Sequence, residues 1–242
     1  MTDGNYLDNL KDAYQPSFSY ALDNRLILQW YPKRILKRCR GGSLLELGVG
    51  HGYSSLALSP YFARHTIVEG SKEIISAFRQ NKEACNIEIV HAFFEDYVAP
   101  EPYDAIVMGF VLEHVEDPGL ILSRFAKFLV PGGQMYVAVP NAHALNRRLG
   151  HLAGMLKDCF ALSAADLALG HRRTFTVETL RALVQQQGLR VEHMEGLLLK
   201  PITTAQIQTL NMPEEILQAM LQVGIDYPEL SVGLLAEVRR QG

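Results

Sequence analysis

The chain has 242 residues, of which 48% are hydrophobic and 20% charged, a balance that suits one α/β domain and excludes wholesale disorder. Its 23 Lys and Arg residues against 26 Asp and Glu residues give a formal net charge of -3, so no overall charge favours nucleic acid or an anionic membrane as a partner. The three cysteines are far apart, and their spacing predicts neither a disulfide framework nor a zinc site.

The N-terminal segment MTDGNYLDNLKDAY is polar and mildly acidic, unlike a secretory signal. No apolar run approaches the ~20 residues that a membrane-spanning helix needs. We therefore expect a cytoplasmic protein with reduced thiols and no membrane partner.

The first predicted element covers residues 16–39, where apolar residues recur at helical spacing and Pro32 predicts a break. We interpret residues 1–40 as an N-terminal helical lid. Short apolar runs then alternate with amphipathic segments, which predicts alternating strands and helices. The predicted strands cover residues 43–49, 64–71, 87–94, 103–110 and 134–141, and the predicted helices cover residues 52–62, 72–84 and 118–130, the last ended by the breaker PGG.

The alternation stops at residues 141–175, which contain helical patches but no strand pattern, and which we interpret as a mainly helical insertion after the fifth strand. It resumes with a helix over 176–188, whose start at Thr176 to Glu178 resembles a cap, and a strand over 189–196. A helix over 212–224 and a strand over 231–240 complete the chain. This order predicts a doubly wound, Rossmann-like α/β sheet within a single domain, residues 1–242.

The segment LLELGVGHGYSS, Leu44 to Ser55, places three glycines directly after the first strand. A glycine turn at this position lets the backbone approach a ligand where a Cβ atom would collide. Dinucleotide sites use the spacing G-x-G-x-x-G, whereas Gly52 comes one place early and Tyr53 stands where the third glycine is expected. Glu46 precedes the turn within the strand.

Together with IVEGS, YDAIVMGFVLEHVEDP and LVPGGQMYVAVPN further along, this turn resembles the signatures of class I S-adenosylmethionine-dependent methyltransferases of the small-molecule type. The resemblance covers about residues 43–141 and 174–240. It implies a seven-stranded sheet whose last strand is antiparallel and inserted between the fifth and sixth. It also implies S-adenosyl-L-methionine as the cofactor and S-adenosyl-L-homocysteine as the product.

The resemblance also implies which residues bind the cofactor. Glu46 is expected to face the positively charged tail, directly or through water, and Gly48, Gly50 and Gly52 let the turn close on it. Glu69 ends the second strand at about the spacing of a ribose-binding acid. Phe94 either packs on adenine or belongs to the core. The remaining candidates are Tyr53, Gly70, Ser71, Glu95, Met108, Gly109 and Phe110.

A hydroxyl acceptor must lose a proton, and a neutral histidine commonly removes it near pH 7. His171, in LGHRRTFT, closes the insertion, and His114, in LEHVEDP, follows the fourth strand. Both are candidate catalytic residues, and a structural role for either remains open. The spacing of His, Cys and acidic residues predicts no metal site.

The acceptor pocket is expected between the lid, the insertion and the segment Pro201 to Pro228. Guanidinium groups suit carboxylates or phosphates, so the insertion's arginines either clamp an anionic acceptor or form a solvated face paired with Asp158 and Asp166. The candidate substrate-binding residues are His143, Arg147, Arg172, Arg173, Tyr14 and Tyr20.

The favoured function is methyl transfer from S-adenosylmethionine to a small molecule, at a hydroxyl or carboxyl oxygen of a metabolite or sugar derivative. An NAD-dependent oxidoreductase and a catalytically silent S-adenosylmethionine-binding protein are the open alternatives. A nucleic-acid methyltransferase is disfavoured by the charge balance and by GFVLEH, which lacks the Pro-Pro-aromatic turn used against a flipped base. A homo-oligomer is compatible with the sequence.

Overall fold

The computed structural model of the protein describes residues 20–39, 41–84 and 86–241. They form one seven-stranded sheet flanked by helices. The strands are β1 Ser43–Leu47, β2 Arg64–Glu69, β3 Glu88–His91, β4 Tyr103–Gly109, β5 Leu129–Pro140, β6 Leu189–Leu197 and β7 Gly233–Arg240. The helices are α1 Ala21–Ile35, α2 Tyr53–Leu58, α3 Lys72–Arg79, α4 Pro118–Ala126, α5 Leu145–Leu152, α6 Ala164–Ala168, α7 Val177–Gln186, α8 Thr204–Thr209 and α9 Glu214–Gly224.

The strand order is β3-β2-β1-β4-β5-β7-β6, and only the pairings of β7 with β5 and with β6 are antiparallel. The predicted seven-stranded, doubly wound sheet with an antiparallel last strand is confirmed. The order reverses between β1 and β4, so a crevice opens beyond the carboxyl ends of these two neighbours.

The central strands are buried along nearly their whole length, which explains why their sequences lack a polar alternation. One face of the sheet packs against α4 and α7, with Phe125 and Leu180 fully buried. The other face packs against α1 and α9, with Ile35 and Leu221 buried. These two hydrophobic layers fix the sheet between the helices. The loops at the carboxyl edge of the sheet are not needed for this packing and can form a binding site.

Two predictions of element boundaries were wrong, and one helix was missed. Pro32 lies inside α1 and does not break it, because Tyr31 and Ile35 on the same helix are buried against the sheet and offset the missing hydrogen bond. Helix α4 ends at Ala126, and Pro131 to Gly133 lie within β5, where the pairing with β4 shifts register. Helix α8 was not predicted at all.

The insertion contains α5 and α6, and its two ends are joined by a bridge between Asn141 and Phe175. The cap predicted at the start of α7 is present: Thr176 is the N-cap residue and forms a reciprocal capping box with Thr179. Within the described residues, no helix has the length and apolar character that crossing a membrane requires.

Candidate active site

A cavity of about 690 Å³ opens at the crevice between β1 and β4. Its walls come from the turn after β1, the tips of β2 and β4, helix α1 and the insertion. Fifteen of the predicted site residues line it: Tyr20, Gly48, Gly50, Gly52, Tyr53, Glu69, Gly70, Phe94, Glu95, Gly109, Phe110, His114, Arg147, His171 and Arg172.

The turn after β1 needs glycine for two reasons. Gly48, Gly50 and Gly52 all have positive φ, at 75°, 51° and 76°, a conformation that other residues rarely adopt. A Cβ atom on Gly52 would also lie only 2.7 Å from the Phe78 ring. The turn therefore presents bare backbone to the cavity at the start of α2.

Glu69 connects this turn to the tip of β2. Its Oε2 accepts a 3.0 Å hydrogen bond from the backbone N–H of Val49, and its Oε1 accepts a 2.8 Å bond from that of Ser71. Burial raises the pKa of the Glu69 carboxyl, although these backbone donors oppose the shift. The carboxylate lies on the cavity wall with further lone pairs available to a ligand hydroxyl.

Glu46, expected to face the cofactor's charged tail directly or through water, is not among the residues that line the cavity. It is 2% exposed, and its two oxygens accept from Ser54 Oγ at 2.7 Å and contact His65 Nε2 at 3.1 Å. Ser54 is in the first turn of α2, so this carboxylate anchors α2 beneath the glycine turn.

The tip of β4 carries a strained residue. Phe110 has φ of 58°, in the left-handed region that costs a bulky side chain free energy. Its ring packs edge-on to Tyr31 of α1, with ring centroids 6.1 Å apart, and both rings line the cavity. Gly109 precedes it, because a Cβ atom there would lie 2.2 Å from the Tyr31 hydroxyl. Met108 is fully buried in the core and lies off the cavity wall.

Phe94 lies between the core and the cavity. It lines the cavity and packs edge-on to Phe125 of the core, with ring centroids 6.4 Å apart. Phe93 and the exposed Glu95 line the cavity beside it, whereas Ser71 lies off the wall and caps α3 by accepting from the backbone N–H of Ile74.

Glu113, His114 and His171 meet on one wall of the cavity. Each side chain offers one ligand atom, and the three atoms lie within 4.8 Å of one another. The two imidazole rings are 4.8 Å apart between centroids and nearly perpendicular. Glu113 is fully buried, and no described residue donates a hydrogen bond to either of its carboxylate oxygens.

This environment shifts the protonation of the cluster. Burial raises the pKa of Glu113 to about 7, with His171 and Arg173 opposing the shift. Burial, assisted by the neighbouring His171, lowers the pKa of His114 to about 3, so its imidazole is neutral.

His171 is oriented by the carboxylate of Asp166, whose Oδ1 lies 3.4 Å from His171 Nδ1. The alignment is too poor for a hydrogen bond, so the contact is electrostatic. Burial acts to raise the pKa of Asp166, but the His171 contact and hydrogen bonds from Ser163 outweigh it and lower that pKa to about 2. With Nδ1 directed at Asp166, Nε2 is the nitrogen left for a proton or a ligand.

Backbone contacts bring these distant residues together. The N–H of Arg172 donates to the carbonyl of Glu113 at 2.8 Å, and the N–H of His171 donates to the carbonyl of Asp166 at 2.9 Å. Arg173 donates to the carbonyls of Leu112 and Glu116 in the loop after β4. Arg173 therefore joins the insertion to this loop by hydrogen bonds, and it does not line the cavity.

The insertion's arginines differ in their contacts. Arg147 donates to the carbonyls of Cys159 and Ala161 and lies 3.8 Å from Asp166, so it holds the insertion together although it also lines the cavity. Arg172 has an exposed side chain at the cavity wall and is available to an anionic group. His143 packs on Phe160 and lies off the wall, and Tyr14 lies outside the described residues.

Sequence analysis missed a second polar group on the cavity wall. Asp23 of α1 accepts from the Lys200 ammonium and from Thr204 Oγ1, and all three residues are buried. The other carboxylate oxygen of Asp23 has no partner among the described residues. Neither Asp23 nor Lys200 belongs to a motif, so only the tertiary structure, which brings them into contact, identifies them.

Two acidic residues of the site were visible in the sequence, Glu113 beside His114 and Asp166 as an expected partner of the insertion's arginines. Their roles could not be predicted, because they depend on where the fold places them relative to the cavity.

The site fits an adenosine-type ligand with a charged tail. It offers glycine backbone at a strand tip, a cavity-facing carboxylate on the neighbouring strand and an aromatic wall at Phe94. A cavity of this size is typical of cofactor sites.

Comparisons with known proteins agree with this fit. A family model described as a methyltransferase domain matches residues 21–194. The chain is 33% identical over 134 residues to a ubiquinone biosynthesis O-methyltransferase of Xylella fastidiosa, a match covering 54% of each chain. It is 25% identical over 187 residues to the protein of the same name from Thiobacillus denitrificans, covering 74% of this chain and 77% of that one. The match to the first of these relatives spans about half of that relative's length.

Solved structures share the fold. The N-methyltransferase NodS of Bradyrhizobium japonicum, in complex with S-adenosyl-L-homocysteine, aligns with a TM-score of 0.62 at 15% identity, covering 99% of this chain and 100% of that one. An S-adenosylmethionine-dependent methyltransferase of Mesorhizobium loti aligns with a TM-score of 0.60 at 18% identity, covering 88% and 98%. The family match favours this class over the NAD-dependent alternative. The chain belongs to the methyltransferase-domain family of class I S-adenosylmethionine-dependent enzymes, for which S-adenosylmethionine is the cofactor.

Proposed function

We propose that the chain transfers a methyl group from S-adenosylmethionine to an oxygen atom of a small metabolite bearing hydroxyl or carboxyl groups. One observation carries the proposal: a buried carboxylate and two histidines converge on the cavity that the glycine turn also lines. Groups that can take up a proton serve a hydroxyl acceptor, which must lose one. The relatives named as O-methyltransferases support the choice of oxygen.

The cofactor supplies an electrophilic methyl group on a sulfonium centre. The residues that would hold it are the glycine turn, Glu69 at the ribose hydroxyls, and Phe94 with Glu95 at the adenine. Gly109 and Phe110 form the adjoining wall. Alignment of donor and acceptor in such a pocket contributes effective molarities of about 10⁵ M or more.

The acceptor's proton passes to the cluster of Glu113, His114 and His171. The proposed proton acceptor is Nε2 of His171, whose Nδ1 lies 3.4 Å from Asp166 Oδ1. His114 is neutral and lies beside it. Both histidines are therefore proposed catalytic residues.

The acceptor itself lies between α1 and the insertion. Apolar side chains such as Ile27, Leu28 and Leu169 line this part of the cavity, and the unpaired oxygen of Asp23 offers a hydrogen-bond acceptor. Arg172 is the proposed contact for an anionic acceptor. Tyr20 donates to or accepts from Ser163 at 2.9 Å, which joins the start of α1 to the insertion and supports its role as part of a lid.

The test is to incubate the protein with methyl-labelled S-adenosylmethionine and a metabolite extract, and to identify the labelled product by NMR. We expect the label in an ether or ester methyl group. The His171→Ala variant should lose turnover by about 100-fold or more with little change in cofactor affinity. His151→Ala, in the same insertion but off the cavity wall, is the matched control and should retain activity. Label on nitrogen or carbon, or full activity of His171→Ala, would overturn the proposal.

A further inference from the structure

A buried ion pair lies on the cavity wall, away from the groups that take part in the proposed proton transfer. Asp23 Oδ2 accepts from the Lys200 ammonium and from Thr204 Oγ1, the latter at 2.9 Å, and Lys200 also donates to Thr204 Oγ1 at 2.6 Å. The side chains of Asp23 and Lys200 are only 9% and 3% exposed, although both residues line the cavity. The cavity wall therefore contains a carboxylate and an ammonium whose charges cancel.

The second carboxylate oxygen of Asp23 is unsatisfied. Oδ1 is buried, and no described residue donates a hydrogen bond to it. An unpaired acceptor on a buried charged group costs free energy, which a donor supplied by a ligand recovers. Because Oδ2 is held by two donors, the carboxylate is fixed in place and Oδ1 is the oxygen left for a ligand.

The contacts of helix α1 place Asp23 on the acceptor half of the cavity. Asn24 lies on the cofactor side, where its Nδ2 is 3.4 Å from Nε2 of His51 in the glycine turn. Asp23 instead contacts Lys200 and Thr204, which follow β6, the edge strand on the other side of β4 from β2. Consecutive helix positions are about 100° apart around the axis, so the two neighbours reach different halves of the cavity.

We propose that Asp23 is a specificity-determining residue, whose Oδ1 accepts a hydrogen bond from a hydroxyl group of the acceptor that is remote from the methylated oxygen. An ionised carboxylate only accepts hydrogen bonds, so the group that it recognises must donate one. Lys200 already balances the charge of Asp23, so a ligand ammonium would leave an uncompensated charge in the buried site, and a ligand carboxylate would be repelled by Oδ1. A neutral hydroxyl meets both conditions.

The inference rests on the proposed function and names a feature of its acceptor. The apolar wall at Ile27, Leu28 and Leu169 binds the body of the acceptor without selecting among similar shapes. A buried acceptor atom does select, because an analogue that lacks the donor leaves that atom unpaired.

The test measures binding and does not depend on turnover. The full chain is saturated with S-adenosyl-L-homocysteine and titrated by calorimetry with phenols that carry a hydroxymethyl, 2-hydroxyethyl or 3-hydroxypropyl chain opposite the phenolic oxygen. Each phenol is compared with the methyl ether of its chain hydroxyl, which accepts but cannot donate, and with a hydrocarbon chain of equal length, which does neither. We expect the wild type to bind at least one hydroxylated phenol at least about tenfold more tightly than both counterparts.

The Asp23→Asn variant should change which probe is preferred. The Lys200 ammonium retains the amide oxygen, so Nδ2 replaces Oδ1 and donates where the carboxylate accepts. The advantage of the hydroxyl over the methyl ether should then disappear, whereas a merely structural role for Asp23 would weaken all probes alike. Asp23→Asn/Lys200→Met leaves no unpaired buried charge and should show the same change if the single variant fails to fold.

Controls separate this subsite from the cofactor pocket and from the helix surface. Arg25→Met breaks the exposed ion pair between Arg25 of α1 and Glu214 and should keep the wild-type preference. The Kd for S-adenosyl-L-homocysteine should be the same in Asp23→Asn as in the wild type, and a large rise would show that Asp23 faces the cofactor and would overturn the assignment. Equal binding of the three probe types by the wild type, or no binding of any hydroxylated phenol, would also overturn it.

Labelling of a metabolite extract with the same samples distinguishes the two proposals. Oxygen methylation by a protein that binds the three probe types equally overturns the hydroxyl subsite and leaves the proposed reaction in place. Asp23-dependent preference for the hydroxylated phenols, with label only on nitrogen or carbon, supports the subsite and overturns oxygen as the methylated atom.

Discussion

Glu69 holds the glycine turn from the neighbouring strand. Its two oxygens accept from the backbone N–H groups of Val49 and Ser71, and each such bond to a charged group contributes about 1.5–3 kcal/mol. Glu69 thus shapes the turn as well as facing the cavity. The same carboxylate can do both because each oxygen has more than one lone pair.

Replacing Glu69 should therefore weaken cofactor binding in two ways. For Glu69→Ala we expect at least about a tenfold rise in the Kd for S-adenosylmethionine, measured by calorimetry. Glu73→Ala, an exposed glutamate on α3, is the control and should leave the Kd unchanged. An unaltered Kd in Glu69→Ala would show that this carboxylate does not contribute to binding.

Gly109 is required by close approach and not by backbone conformation. A Cβ atom there would lie 2.2 Å from the Tyr31 hydroxyl oxygen and 2.9 Å from its Cζ. We expect Gly109→Ala to lower the free energy of unfolding by about 1–3 kcal/mol in chemical denaturation, because the buried Tyr31 must shift.

Two further variants isolate this clash. Adding Tyr31→Phe to Gly109→Ala removes the nearer atom and should recover part of the lost stability. Gly150→Ala lies in α5 with its nearest neighbour 3.8 Å away, so it should be neutral or stabilising by about 0.5–1 kcal/mol. If Gly109→Ala and Gly150→Ala have equal stability, steric overlap does not explain the glycine.

At the scale of elements, α1 is attached to β6 by a buried ion pair. Arg34 Nε donates to Glu195 Oε2 at 2.6 Å, and Arg34 and Arg38 each donate to Oε1 at 3.0 Å. Burial acts to raise the pKa of Glu195, but the hydrogen bonds and charges of Arg34 and Arg38 outweigh it, so that pKa is lowered on folding. The attachment fixes the helix that forms one wall of the cavity.

This pair predicts how stability depends on pH. Because the pKa of Glu195 is lower in the folded state, its stabilisation is present above the unfolded value of about 4.3 and is lost as pH falls. Between about pH 6 and about pH 3, the free energy of unfolding should fall more steeply in the wild type than in Glu195→Gln.

Glu192→Gln is the matched control, since Glu192 is on the same strand but pairs with Arg190 at the surface. Its pH dependence should follow that of the wild type, because exposed pairs contribute little. Parallel pH profiles for the wild type and Glu195→Gln would contradict the assignment.

The insertion illustrates how an element without a motif determines a site. Its ends are joined at Asn141 and Phe175, and the N–H of Arg172 bonds to the carbonyl of Glu113. These contacts place His171 against His114, which is far earlier in the chain. Helix α6 then presents Asp166 to His171.

At the scale of the whole molecule, ligand binding should distinguish the two cofactor classes. S-adenosylmethionine at about 100 times its Kd should stabilise the folded chain by about 2.7 kcal/mol, whereas NAD should have no effect. Thermal unfolding with each ligand, and with S-adenosyl-L-homocysteine as a methyl-free control, measures this. We expect a micromolar Kd for S-adenosylmethionine, and stabilisation by NAD alone would contradict the cofactor assignment.

Much of the fold could be predicted because local patterns decide it. Apolar runs without polar alternation indicate strands that are covered on both faces, and glycines at Gly48, Gly50 and Gly52 indicate a tight turn after the first strand. The boundaries at Pro32 and at Pro131 to Gly133 were wrong, since burial of Tyr31 and pairing of β5 with β4 outweigh the local preference of proline.

By itself the sequence determined the order of most strands and helices and the glycine turn, because these depend on residues close together in the chain, and the resemblance of its motifs to a known family implied the class of cofactor. Only the tertiary structure decided that Glu46 supports α2, that Arg173 clamps a loop, and that Glu113 meets two histidines without a hydrogen-bond donor. Such roles depend on which side chains meet across the sheet and on what burial does to their charge, and neither is encoded in the spacing of any one segment.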